Sequence, residues 1–420
     1  MPIPRFILVL SMPAARRALS LVLLIVLTTP LWAQVSKLTA DDATIGDEFG
    51  NVVAFDGDYL IVGALLDDPA GDQSGSAYLF VLIDGVWTEQ AKLIPDDAEI
   101  RDRFATSVAL SGAYAVVGAR SDDDGGDDAG AAYVFVRQGQ TWTQQAKLIA
   151  SDAGEGDSFG RAVALDGDYL LVSAPGNDEQ GERTGAVYVF KRDGETWTQQ
   201  AKLTASDAGV LDGFGSAVAL EGALAAIGAS GDDFPTGSVY LFERDGETWI
   251  ERDNVSSGDG TFDDFFGDTV ALSGDYILVG VRRDDDDGES SGSAYVFMRD
   301  GDTWEQQDKL TASDAAAGDE FGTSVALSGD RAVVGAPGND DDGEDSGAAY
   351  VFERDGETWT EQSKLTATDA RADAEFGNAV ALSGGSALIA AFMDDDRAGR
   401  AGAAYVYVLV PPGVGIERVE

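Results

Sequence analysis

Carboxylates are the only reactive groups this chain holds in quantity. Aspartate and glutamate number 75 against 28 lysines and arginines, and there is no histidine and no cysteine. Their absence rules out Ser-His-Asp and Cys-His relays, a histidine general base, thiolate chemistry, disulfides and zinc held by histidine or cysteine. Carboxylates alone can chelate a hard cation such as Ca²⁺ or run glycoside hydrolysis as a spaced pair. The acids fall in two recurring sets. One is Asp67-Asp68, Asp122-Asp123-Asp124, Asn177-Asp178-Glu179, Asp232-Asp233, Asp284 to Asp287, Asn339 to Asp342 and Asp394-Asp395-Asp396. The other is Asp42 and Asp47, Asp97 and Asp102, Asp152 and Asp157, Asp207 and Asp212, Asp314 and Asp319, Asp369 and Asp373. In the loops of the first set, Asp122, Asp124, Asp127, Asp284, Asp286, Asp340, Asp342 and Asp345 are the candidate Ca²⁺ ligands. Gly125, Gly288 and Gly343 would let each loop turn around an ion. Against this, the aspartates are consecutive and no strict D-x-D-x-D-G occurs. Solvated turns, with charge for solubility, account for the same residues. No residue stands out as catalytic, because the acids recur in nearly every copy whereas catalysis needs one asymmetric pocket. Arg282-Arg283 and Arg397/Arg400 are the only basic insertions, read as local salt bridging.

These sets are spaced by a repeat. Phe49, Phe104, Phe159, Phe214, Phe266, Phe321 and Phe376 are separated by 55, 55, 55, 52, 55 and 55 residues. Tyr78, Tyr133, Tyr188, Tyr295, Tyr350 and Tyr405 each follow their Phe by 29 positions, and Tyr240 follows by 26. Each copy, beginning near residues 47, 102, 157, 212, 264, 319 and 374, holds four strand-like runs. In the sixth they are SVAL (324–327), AVVGA (332–336), AAYVF (348–352) and TWTEQSKL (358–365). X-Gly pairs such as Ser328-Gly329 and Asp355-Gly356 join runs one to two and three to four as tight hairpins. Seven units of four antiparallel strands predict an all-β fold, a seven-bladed β-propeller. VSKLTA (35–40) is a spare fourth strand before the first copy, and the last copy stops after its third, AAYVYVLV (403–410). The N-terminal strand is therefore expected to complete the last blade and close the ring, which removes exposed edges. Alternating strand direction puts both acidic sets on one face. The Phe, Trp and Tyr columns read as packing between blades. The Gln-rich run (Gln144-Gln145, Gln199-Gln200, Gln306-Gln307) reads as a partly exposed outer strand of little consequence.

The pattern F-G-x-x-V-A…V-G-A-P is best seen in Phe159-Gly160 with Ser173-Ala174-Pro175, and in Phe321-Gly322 with Gly335-Ala336-Pro337. It resembles the FG-GAP repeat of the integrin α-subunit propeller and of bacterial secreted proteins. The second copy departs at Phe104-Ala105 and the seventh at Ile389-Ala390-Ala391-Phe392. The resemblance spans about residues 35–410 and implies the fold more than the function. It also implies, by analogy, that the face bearing the long loops binds the ligand. The integrin-type repeat carries a D-x-D-x-D-G calcium loop between its first two strands. Here that connection shrinks to pairs such as Asp56-Gly57, Glu221-Gly222 and Ser328-Gly329, too short to wrap a cation wanting six to eight oxygens. Those family sites do not carry over.

Residues 1–33 read as a secretory signal peptide: Arg16-Arg17, an apolar run from Ala18 to Leu27, and Ala33 at a cleavage site. Met12 is an alternative start. All seven tryptophans share one repeat position, so cleavage after Ala33 would discard Trp32. Residues 34–410 form the propeller and 411–420 a short tail. The net charge of −47 repels nucleic acid and anionic lipid, and no membrane insertion is expected once the signal is removed. These features predict a secreted or cell-surface monomer, not an enzyme. It would act as a binding or adhesion scaffold for an extracellular protein or glycan through its acidic face, with Ca²⁺ as the one candidate cofactor. The alternatives are a carboxylate-based glycoside-active enzyme and a structural surface protein without a specific ligand.

Overall fold

The computed structural model describes residues 33–233 and 236–409. The expected signal segment up to Trp32 and the tail 411–420 lie outside the described residues. Within them the chain forms 28 strands and no helix, arranged as seven four-stranded antiparallel sheets. Blade 1 is Phe49–Asp56, Tyr59–Ala64, Ser76–Ile83 and Val86–Leu93, with spatial order following chain order, and blades 2 to 6 repeat it. Blade 7 combines Val380–Ser383, Ser386–Ala391 and Ala403–Val408 with Ala33–Leu38 from the other end of the described chain. Lys37 pairs with Tyr405 and Leu38 with Ala404, so the ring closes as the sequence predicts.

The Phe-Gly pair earns its recurrence by making a turn. The amide of the residue after the glycine folds back: Asn51 N–H donates to Glu48 O at 3.2 Å, and Arg161 N–H to Ser158 O at 3.1 Å. Phe and Gly are the two central residues, and Gly takes positive φ (Gly50 102°, Gly160 88°), as a type II turn requires. In blade 2, Ala105 holds the same conformation at 69°. The Phe ring is buried by this turn and meets its own blade edge-on; Phe49 lies 5.4 Å from Tyr78 and 6.1 Å from Phe80.

The apolar core lies between blades. One cluster unites Val134 and Leu148 of blade 2 with Phe159, Tyr188 and Trp197 of blade 3. Trp142 stacks edge-on against Tyr59 of the preceding blade at 6.3 Å, with the Arg137 guanidinium 4.1 Å from the Tyr59 ring centre. The Gln-rich strand belongs to this joint, contrary to its reading as inconsequential. Trp142 Nε1 donates to Gln90 Oε1 at 2.9 Å, and Asp96 N–H to Gln144 Oε1 at 3.0 Å. A glycine before each third strand permits a close approach between blades. At Gly402, a Cβ would lie 2.0 Å from the Phe49 carbonyl oxygen.

Two kinds of connection sort to opposite faces. Each loop between second and third strands bonds to the link that enters the next blade: Gly46 N–H to Gly399 O at 3.0 Å, Gly156 N–H to Asp127 O at 2.9 Å, Gly318 N–H to Glu289 O at 2.9 Å. On the other face the short hairpins chain together around the axis. Gly112 N–H donates to Asp56 Oδ2 at 2.7 Å and Gly57 N–H to Ser383 Oγ at 2.9 Å.

Candidate functional site on the loop face

The acids converge on lysine. Five residues after every tryptophan but Trp249 stands a lysine, Lys37, Lys92, Lys147, Lys202, Lys309 or Lys364, directly across the ladder from the blade's tyrosine. The Lys147 ammonium lies 2.9 Å from Asp97, 2.8 Å from Asp122 and 2.5 Å from Asp124. Lys309 repeats this with Asp259, Asp284 and Asp286 at 3.0, 2.8 and 2.7 Å. Tyrosine hydroxyls complete the junction: Tyr133 donates to Asp122 at 2.6 Å and Tyr350 to Asp314 at 2.7 Å. Burial alone would depress the Lys147 ammonium, but its three carboxylate partners override that and raise it. Burial likewise works to raise Asp97 and Asp314, yet their bonds to lysine and tyrosine hold them below the ordinary carboxylate range. Asp369 is brought down to about 2 in the same way, by Lys37 against the effect of burial.

Blade 4 breaks the rule. Asn254 stands across from Tyr240 where the other blades have lysine. The Tyr240 hydroxyl meets both Asp207 (2.8 Å) and Asp232 (3.0 Å), and one hydroxyl proton serves only one of them at a time.

The second acidic set divides by role. Its first members face the lysines, except Asp207, which meets the Tyr240 hydroxyl in the blade without one. Asp47, Asp102, Asp157, Asp212 and Asp319 are instead buried and accept the amide three residues back: Glu99 N–H donates to Asp102 at 2.6 Å and Gly154 N–H to Asp157 at 2.9 Å. Burial pushes Asp102 up to about 6 and raises Asp157, Asp212 and Asp319. Asp259 and Asp264 of blade 5 fill the same two places, a pair marked by the same five-residue spacing but left out of the sequence-derived set. Asp373 does not, since Ala374 occupies the buried place.

The candidate calcium ligands thus separate. Asp122 and Asp124 meet at Lys147, and Asp284 and Asp286 at Lys309. Asp340 accepts the amide of Asp345 at 2.8 Å, closing its own loop. Asp127 and Asp342 are exposed. Among the described residues, the three carboxylates close enough to share one ion are Asp369, Asp394 and Asp396, and Lys37 already bonds all three.

Around the axis runs a channel of about 430 Å³ lined by the residue after each Phe-Gly and its successors. In most blades that residue is small and polar and stitches blades together; Asn51 donates to Ala105 O at 3.0 Å and Asn378 to Gly50 O at 3.1 Å. Blades 3 and 5 put Arg161 and Asp268 there. Asp268 is the one carboxylate lining the channel, so the spaced pair of a glycoside hydrolase is not assembled in it. Near Arg161 on the loop face stand Arg183, which shares a cavity with it, and Arg120, within electrostatic reach of both Arg161 and Arg103. Arg282-Arg283 and Arg397/Arg400 are therefore not the only basic insertions on this face, as the sequence suggested. Arg103 and Arg161 escape notice because each is the odd member of its own column, and Arg120 because it shares its column with Arg282 alone; only alignment by repeat position brings the three together. A second cavity of about 320 Å³ at the mouth is lined by Arg161, Arg183, Leu211, Ser216, Ser230 and Phe265, among others.

A family model described as the FG-GAP repeat matches the chain seven times, over residues 32–80, 87–135, 142–190, 197–242, 249–297, 304–352 and 359–407. No curated protein matches it.

Proposed function

The chain belongs to the FG-GAP repeat family, and on that premise we propose that it is an exported, non-catalytic binding scaffold whose loop face meets an extracellular protein or glycan. The observation that carries this is the bracing of that face. Backbone bonds tie each loop to the next link, and lysine junctions anchor the inner carboxylates. Outer carboxylates such as Asp123, Asp127, Asp285 and Asp342 stand exposed on a rigid support. Pre-organised polar groups lose little entropy on binding, whereas the opposite face offers only short hairpin tips. The net charge disfavours nucleic acid and anionic membrane. No helix among the described residues is long and apolar enough to cross a membrane.

In this proposal Ca²⁺ screens the rim and does not build it, since six blades already hold an ammonium where carboxylates converge. Calorimetric titration of Ca²⁺ into EDTA-treated protein checks the point. The expected result is a rise in melting temperature that Mg²⁺ at equal ionic strength matches; a saturable, calcium-specific rise would restore calcium to the loops.

The scaffold proposal is tested by screening the protein against glycans and matrix proteins beside a rim variant carrying Asp123→Asn, Asp127→Asn, Asp285→Asn and Asp342→Asn. Capture of a ligand by the parent and its loss in the variant is expected. Capture unchanged by rim neutralisation would overturn the assignment to this face.

A further inference from the structure

We propose that the arginine side of the channel mouth, in blades 2 to 4, is a binding site for a small ligand bearing an oxyanion: a carboxylate, phosphate or sulfate. This goes beyond the scaffold proposal and does not depend on what the acidic rim binds. The first observation is a misplaced surplus. Acids outnumber bases by 47 in this chain, and among the described residues most of its other arginines find carboxylates or ring faces, the exposed Arg397 and Arg400 apart: Arg101 pairs with Asp72, Arg192 with Asp168 and Arg331 with Glu353, and Arg137 lies over Tyr59. Among the described residues, the side chains of Arg103, Arg120, Arg161 and Arg183 form no ion pair, hydrogen bond or ring contact. Arg120 is half-buried. Burial, then the like charges of Arg161 and Arg103, lower its affinity for its proton. Asp128 offsets this only in part; gathering like charges with so little counter-charge raises the energy of the free protein, and an incoming anion relieves it.

The second observation is that the fold does not ask for these side chains. Arg120 stands where four other blades have Leu65, Pro175, Ser230 and Pro337 and blade 5 has Arg282, and Arg161 where others have Asn51, Thr106 or Ser216 and blade 5 has Asp268. The same turns and strands form with neutral residues. Arg103 sits at a left-handed φ of 54° immediately before its Phe. At that ring position blades 1, 6 and 7 carry Glu48, Glu320 and Glu375, also left-handed. Burial raises Glu375, and the charges of Glu320 and Glu48 raise it further. The mouth is therefore divided, with glutamates over one arc and arginines over another, which would orient an anionic group.

The third is space. The cavity of about 320 Å³ beside Arg161 and Arg183 opens at the channel and lies within the range of small-ligand pockets. Its two carboxylates are engaged elsewhere: Asp212 accepts the Gly209 amide, and Asp268 lies 3.6 Å from Arg282. Guanidinium groups suit planar, bidentate capture of an oxyanion. The surrounding acidic rim repels long polyanions, so a small anion is the occupant that both features admit.

The experiment uses the purified protein with citrate, glucuronate, inorganic phosphate and sulfate as probes, each against sodium chloride of matched ionic strength. Calorimetry and melting are both read. At least one probe should bind saturably at about one per chain and raise the melting temperature. Arg161→Gln, an exposed position, should weaken that binding at least tenfold, and Arg120→Gln likewise while leaving the anion-free melting temperature unchanged or higher. Arg101→Gln, outside the mouth, should bind as the parent does. No response beyond matched chloride, or parent-like binding by Arg161→Gln, would overturn the site. Heparin binding tighter than any small probe and abolished by salt would overturn the small-ligand assignment. The rim variant above should keep anion binding, so failure of one proposal is separable from failure of the other.

Discussion

One ammonium in each blade but the fourth sets how much like-charge repulsion the loop face must bear. Lys147 has its side chain mostly covered and touches three carboxylates. Removing it leaves Asp122 buried and without its cation. A fully buried pair broken this way costs several kcal/mol, but Asp124 is largely exposed and its share is screened. Lys147→Met should therefore destabilise by about 2 kcal/mol, read as a lower denaturation midpoint with an unchanged m-value. Blade 4 offers the reverse change. Asn254→Lys would place an ammonium opposite Tyr240, between Asp207 and Asp232, at a position where six sister blades accept it. A gain of about 1 kcal/mol is expected, a rise of about 1–3 °C in melting temperature. A fall in melting temperature would show that blade 4 differs in more than this side chain. The lysine column was open to sequence reading, since it recurs five residues after tryptophan. Attention to the acids alone passed over the residue that organises them.

The blade is the scale at which the sequence spoke most clearly. Its strands, its X-Gly hairpins and the offset that closes the ring all depend on local residue types recurring at 55 positions, and such signals survive without knowledge of contacts. The sites depend on convergence across the chain. Lys147 meets Asp97 from 50 positions away and Asp124 from 23, and no spacing rule announces that three side chains will point at one another. The same holds for Arg103, Arg120 and Arg161, which three different connections bring to one mouth. Two glycine positions test the blade logic. At Gly402 the φ of 84° and the Phe49 carbonyl 2.0 Å from any added Cβ leave a methyl group nowhere to go without opening the joint between the first and last blades. Gly402→Ala should cost about 3 kcal/mol or more, from left-handed strain and displaced backbone together, and should broaden the thermal transition as the closing blade loosens first. Ala105→Gly asks the converse. Ala105 already holds φ 69° where other copies have glycine, so relief of strain worth about 1 kcal/mol competes with loss of one buried methyl of about 0.8 kcal/mol. A change within about 0.5 kcal/mol is expected; a large loss would mean that the methyl, not the turn, is what blade 2 requires.

At the scale of the whole ring, charge and burial give stability a pH profile with two limbs. Asp102 has a folded value of about 6 against an ordinary 3.8, because burial penalises its charged form. A group raised in this way lends its full stability below pH 4 and loses it as pH climbs through 6. Asp157, Asp212, Asp264 and Asp319 shift in the same direction for the same reason. Mutual repulsion within a chain of net charge −47 adds to this limb, since protonation relieves it. The opposing limb comes from Asp97, Asp152, Asp259, Asp314 and Asp369, where lysine and tyrosine partners outweigh burial and hold the carboxyls low. Their stability is present above about pH 4 and is lost as pH falls through their folded values, near 2 for Asp369. The two limbs cross between pH 4 and 6. Above pH 10 a third set enters: Lys147 and Lys309 are raised by their carboxylates, and Tyr133 and Tyr405 by burial beside them, so stability present below pH 10 declines as pH rises further. Melting curves from pH 3 to 11 should therefore peak near pH 5, fall by several degrees toward pH 8, and drop sharply at both extremes. Asp102→Asn keeps an acceptor for the Glu99 amide but removes one ionisation from the descending limb. It should flatten the slope between pH 5 and 7.5, by about 1–2 kcal/mol at the upper end. A parent protein that grows steadily more stable from pH 5 to 8 would mean that the buried aspartates ionise without penalty, and that the lysine junctions alone govern the ring.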